Sequence, residues 1–234
     1  MNKIEVCLTP ELIHQHDLSG KIVVVVDIFR ATSCIVTGLS HGVTAIKPIG
    51  TVEETLSLGE QGFVMAGERG GEKVDGFDMG NSPFEYMDED LTGRKVAIST
   101  TNGSQAILKS LDADEILIGA FLNLSTTAEY LAKSGKDVVV HCAGWKGAVN
   151  IEDTLYAGAL IDALSKTHSI SGDSAFIASQ LYKANKHDLL SIAKESSHAH
   201  RLAGFGVIKD IAFCVQVDEY DSLIALKDDF LTRI

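Results

Sequence analysis

The chain has 234 residues, of which 45% are hydrophobic and 22% charged, a length and balance that fit a soluble α/β domain with a sizeable core. With 32 acidic against 20 basic residues the formal net charge is −12, a surface that repels phosphate backbones and argues against nucleic acid as a partner. No run approaches the roughly 18 apolar residues that span a membrane, and MNKIEVCLTP lacks the apolar core of a signal peptide. Cys7, Cys34, Cys142 and Cys214 stand far apart without CxxC spacing, so they read as reduced thiols, and a cytoplasmic location is expected.

Short apolar runs alternate with stretches of helical periodicity. Taken in chain order, the runs predict strands at Ile4–Leu8, Ile22–Val26, Val43–Ile49, Phe63–Ala66, Lys95–Ser99, Glu115–Ile118, Asp137–His141 and Phe213–Val217. Helices are predicted over Ala31–His41, Val52–Glu60, Gly103–Leu111, Ser125–Ser134, Glu152–Lys166, Ser174–Ala184 and a stretch near Asp188–Ala203. Strands separated by single helices imply a largely parallel sheet covered on both faces, in a single domain spanning residues 1–234. The run Ile22-Val23-Val24-Val25-Val26 reads as its central strand, whereas the segment after Val217 carries no clear pattern.

In such sheets ligands collect where the carboxyl ends of strands lead into helices, and four of these junctions are rich in polar residues. The first is Asp27-Ile28-Phe29-Arg30-Ala31-Thr32. A carboxylate there is partly desolvated and calls for a cation, Arg30 or a metal, unless Asp27 merely caps the helix and Arg30 points to solvent. The DxDxT pattern of aspartyl-phosphate phosphatases is missing, because Phe29 stands where the second acid would be. The second junction runs from Gly67-Glu68-Arg69-Gly70-Gly71-Glu72-Lys73 through Gly80-Asn81-Ser82-Pro83. Its glycines permit close backbone approach, Glu68 suits a hard cation such as Mg²⁺, and Arg69 suits a phosphate or sulfonate; a mixed-charge surface loop is the alternative.

The third junction, Ser99-Thr100-Thr101-Asn102-Gly103-Ser104, has the make-up of an anion site at a helix start, or of plain capping by Thr101 or Asn102. No Walker loop occurs. The fourth runs from His141-Cys142-Ala143-Gly144-Trp145 to Asn150-Ile151-Glu152-Asp153. Ala148 stands where a cysteine phosphatase needs Arg, so Cys142 reads as a buried thiol. Asp153 extends the apolar stripe of Ala157, Leu160, Ile161 and Leu164, which turns it inward toward a metal or Arg, unless Glu152 and Asp153 serve only the helix dipole. Further on, His198 and His200 are two apart and share no helix face, which excludes an HExxH zinc site. His198 reads as an anion donor or acid, or as a surface histidine.

The segments VVVVDIFRATS, GERGGEKVDGFDMGNSP, STTNGSQAI and CAGWKGAVNIEDTLYAG, in that order over residues 22 to 162, strongly resemble the 2-phosphosulfolactate phosphatases. A weaker pattern of Ser196, His198, Leu202, Gly206 and Asp210, followed by DIAFC, extends the similarity. The resemblance implies a three-layer α/β/α fold with a largely parallel or mixed central sheet. It also implies Mg²⁺-aided hydrolysis of 2-phospho-3-sulfolactate to 3-sulfolactate and phosphate, a step of coenzyme M synthesis.

Residues and resemblance converge on one expected site. Asp27, Glu68 and Asp153, with Glu152, would hold Mg²⁺. Arg30, Arg69 and the turn Thr100, Thr101, Asn102, Gly103 and Ser104 would hold the phosphate, with Lys73 and His198 serving a small sulfonated acid substrate. The alternatives are hydrolysis of another small phosphomonoester on the same scaffold, or a non-catalytic anion-binding module. A homodimer is the common arrangement of small α/β enzymes.

Overall fold

The computed structural model describes residues 1–204 and 208–234; Gly206 of the C-terminal pattern lies outside them. In chain order the elements are β1 (Asn2–Cys7), β2 (Ile22–Val26), α1 (Ala31–Ser40), β3 (Ala45–Pro48), α2 (Val52–Gly59), β4 (Val64–Arg69) and β5 (Glu72–Lys73). There follow β6 (Lys95–Ser99), α3 (Gly103–Leu108), β7 (Glu115–Gly119), α4 (Leu124–Ser134), β8 (Val138–Cys142), α5 (Ile151–Ala163), β9 (His168–Ile170) and α6 (Asp173–Asn185). The rest comprises α7 (Leu189–Lys194), α8 (Ser197–Ala203), α9 (Ile208–Cys214), β10 (Ile224–Lys227) and β11 (Phe230–Arg233).

The strands form one mixed sheet in the order β5-β4-β6-β3-β11-β10-β7-β2-β8-β1-β9. Two parallel blocks, β4-β6-β3 and β7-β2-β8-β1-β9, are joined through the antiparallel hairpin β10–β11. All five residues of β2 are 0% exposed, so helices cover both faces of the sheet and the expected three-layer α/β arrangement holds. Valine and isoleucine at every position suit a strand with no solvent face.

Flat geometry would separate β6 from β2 by five strand spacings, about 24 Å. Yet Gly103, four residues beyond β6, abuts Asp27, the residue that follows β2. The sheet is therefore strongly coiled, and the ends of both parallel blocks meet at one place. Helix α1 packs against β3, β7 and β11. It is buried along nearly its whole length, and its polar residues turn inward onto the backbone. The Thr32 hydroxyl donates to the Asp27 carbonyl (2.9 Å), that of Ser33 to Ile28 (2.9 Å), and that of Thr37 to Ser33 (2.8 Å).

Three expectations are corrected. Phe213–Val217 is not a strand: residues up to Cys214 belong to α9, where Asp210, Ile211 and Cys214 are buried and helical spacing overrides the β propensity of Phe and Val. The stretch Asp188–Ala203 is two helices, because Asp188 and Ser196 each cap a new start through Ser191 N–H (3.0 Å) and Ala199 N–H (3.0 Å). The segment after Val217 forms β10 and β11, joined through Asp228 and Asp229 at φ 47° and 70°. Both turn residues are left-handed, as a tight two-residue hairpin turn needs, and Asp tolerates that conformation better than most residues. Among the described residues no helix is long and apolar enough to cross a membrane.

Candidate active site

Asp27 leaves the end of β2 with its carboxyl facing a small cavity, and Thr32 holds its backbone from both sides: the hydroxyl receives Asp27 N–H (3.0 Å) while Thr32 N–H donates to Asp27 C=O (3.0 Å). The bare Cα of Gly103 packs against the Asp27 side chain. A Cβ there would stand 2.7 Å from Asp27 Oδ2 and 2.5 Å from the Ala31 methyl. Arg30, also buried, donates from Nη1 to Asp210 Oδ2 on α9 and lines the same cavity. The Phe29–Arg30 peptide is cis.

The second and third junctions are tied together. Glu68 Oε1 accepts Thr101 N–H (2.7 Å), and Oε2 accepts Gly71 N–H (2.7 Å) and the Thr101 hydroxyl (3.2 Å). Gly67 makes this crossing possible: its φ is 150°, and a Cβ would lie 2.0 Å from the Ser99 carbonyl oxygen. Arg69 turns away from the cavity. Its Nη1 donates to the carbonyls of Glu68 (2.8 Å) and Ser99 (2.9 Å), and Nη2 to the Ser99 hydroxyl (2.8 Å). Thr100 and Ser104 close on each other, each hydroxyl receiving the other's backbone N–H at 3.0 Å. Asn102 lines the cavity and accepts Lys146 N–H (3.3 Å), while Thr101 is spent on Glu68. Lys73 is exposed, 3.5 Å from the Asp78 carbonyl, in a groove of about 510 Å³ that meets the cavity at Arg30, Gly71 and Asn81.

The two acids of α5 do different things. Asp153 accepts Ile28 N–H at Oδ1 (2.9 Å) and Gly144 N–H at Oδ2 (3.0 Å), stitching the loop after β2 to the loop after β8. Glu152 accepts from His198 Nδ1 at 2.9 Å; its second oxygen is buried with no partner among the described residues. His198 stands on α8 and lines the cavity with Trp145 and Leu202.

Burial dominates the electrostatics. It pushes Asp27 up to about 6; His198 opposes the rise, whereas Glu68 and Glu152 add to it. Burial, then repulsion from Glu152 and Asp27, pushes Asp153 well above the usual carboxylate range, against the pull of its two amide donors. The cavity measures about 10 Å³, room for roughly one water molecule.

The expected residues thus gather around one place, with different duties. Asp27, Arg30, Glu68, Asn102 and His198 line the cavity; Arg69, Thr100, Ser104 and Asp153 are turned onto the backbone around it. Among the described residues no three His, Cys, Asp or Glu side chains are grouped to hold a metal by themselves. Mg²⁺ seldom needs that. It keeps several waters and takes one or two carboxylates plus phosphate oxygens, a donor set that the paired outlook of Asp27 and Glu68 on the cavity fits.

Sequence reasoning passed over Asn81, Trp145, Leu202 and Asp210 as site members. Asn81 and Trp145 sat inside the segments quoted above, and Asp210 could have been found as an acid on an apolar helical stripe.

Comparison with known proteins follows the same path. The family described as 2-phosphosulpholactate phosphatase matches residues 7–229. A probable 2-phosphosulfolactate phosphatase of Caldanaerobacter subterraneus is 40% identical over 221 residues, covering 92% of both chains. One from Thermotoga maritima is 41% identical over 203 residues (87% of this chain, 88% of the relative), and one from Clostridium beijerinckii 35% over 236 (98% and 99%).

Proposed function

The chain belongs to the 2-phosphosulfolactate phosphatase family, and from that premise we propose that it hydrolyses 2-phospho-3-sulfolactate to 3-sulfolactate and phosphate with Mg²⁺, in the cytoplasm, as in coenzyme M synthesis. The observation that carries the reading is the buried carboxyl of Asp27 facing one small cavity with Glu68, Arg30, Asn102 and His198. A pure anion binder gains nothing from two acids beside its phosphate, whereas a metal-assisted phosphatase needs them.

Mg²⁺, when bound, would be held by Asp27 and Glu68 and would neutralise phosphoryl oxygens and orient the attacking water. Arg30 is anchored at Nη1 by Asp210, which leaves its other donors for the phosphate, and the Asn102 side chain adds a neutral contact. Glu152 accepts Nδ1–H and fixes the His198 ring; in its imidazolium form the ring carries a second proton, on Nε2, for delivery to the C2 oxygen as the P–O bond breaks. Asp153, Arg69, Thr100 and Ser104 hold the loops that present these groups. The groove beside the cavity, with Lys73 on its rim, gives the substrate its way in.

Phosphate release from 2-phospho-3-sulfolactate is expected with Mg²⁺ and is expected to vanish in EDTA. Absence of turnover with Mg²⁺ on this ester and on a panel of other small phosphomonoesters would sink the reading.

A further inference from the structure

Helix α8 carries His198, Arg201 and Leu202 at i, i+3 and i+4, and so on one face. His198 and Leu202 line the cavity, as does Trp145, which lies 5.3 Å from the His198 ring. Arg201 extends this face over the indole, its guanidinium carbon 4.4 Å from the ring centroid. Its hydrogen bonding is incomplete. Nη1 reaches the Ser197 hydroxyl at a long 3.4 Å, while Nε and Nη2 are both buried with no acceptor among the described residues. Among the described residues no carboxylate pairs with it: Glu152 gives one oxygen to His198, and its other oxygen has no partner there either.

Nε and Nη2 share one edge of the guanidinium, the edge that donates two parallel N–H groups to a carboxylate or sulfonate. A covered guanidinium edge with no acceptor is costly to keep, even on a side chain that is only half-buried. It is explained if the acceptor arrives with the substrate. We infer that Arg201, stacked on Trp145, receives a second acid group of the substrate, a carboxylate or a sulfonate, and so selects phosphomonoesters that bear one. The assignment rests on the phosphatase reading above, which places the phosphate at Arg30 and Asn102. Because the fork is covered, binding requires the groups around it to shift, and the stacked indole is one of its neighbours. Trp145 is the only tryptophan in the chain, so its fluorescence reports that event.

The test uses the whole protein with Mg²⁺ and three esters: 2-phospho-3-sulfolactate, 2-phospholactate (no sulfonate) and isopropyl phosphate (neither acid). Arg201→Gln is expected to raise KM for the first about 10- to 100-fold, with kcat nearly unchanged and with isopropyl phosphate turned over as in the wild type. A matching loss on 2-phospholactate assigns the carboxylate to Arg201; no loss there assigns the sulfonate. Arg201→Lys, which keeps the charge without the fork, is expected to recover only part of the affinity. Titration with 3-sulfolactate is expected to change Trp145 fluorescence in the wild type and to require about tenfold or more ligand in Arg201→Gln. An equal fall on all three esters, or on none, overturns the inference. Should Arg201→Gln not fold, Arg201→Lys decides by the same ratios. A wild type inactive on every ester would instead remove the phosphatase reading, a distinct outcome.

Discussion

The floor of the cavity and its α8–α9 wall are built on opposite terms. On the floor, Glu68, Asp153, Thr100, Ser104 and Arg69 all close onto backbone groups of the chain, so the strand-end loops are fixed before anything binds. In the wall, buried atoms of Arg201, of Asp210 and of the Glu152 that meets it are left without partners among the described residues. The first is the rule and the second the exception, since most buried polar atoms in folded proteins are satisfied. Side by side they separate a preorganised scaffold from surfaces that a ligand completes. Family resemblance alone could not draw that line, because acids and arginines occur on both sides of it.

The sharpest break of this contrast is Asp27→Asn, which alters the cavity-facing acid at the end of β2. Its kcat/KM in phosphate release is expected to fall about 10²- to 10³-fold. A mere capping role would leave turnover near wild type. Next comes Asp153→Ala, which strands the N–H groups of Ile28 and Gly144. A loss of about 3 kcal/mol in urea unfolding at pH 7 is expected, from two buried donors at roughly 1–3 kcal/mol each. Little loss would mean that the stitch between the loops is dispensable.

Gly103→Ala tests how closely the floor is fitted. The added methyl meets Ala31 and Asp27, so the loop must shift, and about 10²-fold in kcat/KM is expected from a displacement near 1 Å. A pH comparison sharpens the same point. The pKa of Asp27 is raised to about 6, so the folded state binds its proton more tightly than the unfolded chain does. Its contribution to stability is complete below about pH 4 and is lost as pH rises through 6. In EDTA, Asp27→Asn is therefore expected to gain on the wild type between pH 4 and 7, by at most about 3 kcal/mol, when melting is followed across that range. Equal pH profiles would show that the carboxyl is not desolvated. The smallest effect belongs to neither region: Lys133→Ala removes an exposed pair with Glu129 and is expected to change stability by less than about 0.5 kcal/mol.

Much of this was legible in the sequence. The all-apolar β2, the helix after it and the four polar junctions follow from apolar periodicity and from the preference of ligands for strand ends. What periodicity does not carry is the partner of each polar group. Arg69 and Arg30 read alike, yet one is spent on Ser99 and the other looks into the cavity. Asp153 and Glu152 are neighbours, yet one takes backbone amides and the other a histidine. Arg201 was invisible as a site member because its role depends on an indole 56 positions earlier, brought over it only by the fold. The hairpin β10–β11 was missed because Asp-Asp is a weaker turn signal than Asn-Gly, and because the strands are only four residues each.

That hairpin has a consequence for synthesis. It follows every other described element along the chain but occupies the middle of the sheet, between β3 and β7. Until residues 224–233 have left the ribosome, the strands that join the two parallel blocks are missing, and whatever part of either block has formed presents an open inner edge able to pair with another chain. Assembly of the enzyme is thus a closing event rather than a steady accretion. A nascent chain stalled before Ile224 should behave as a sticky intermediate, calling on chaperones in a way the finished protein does not.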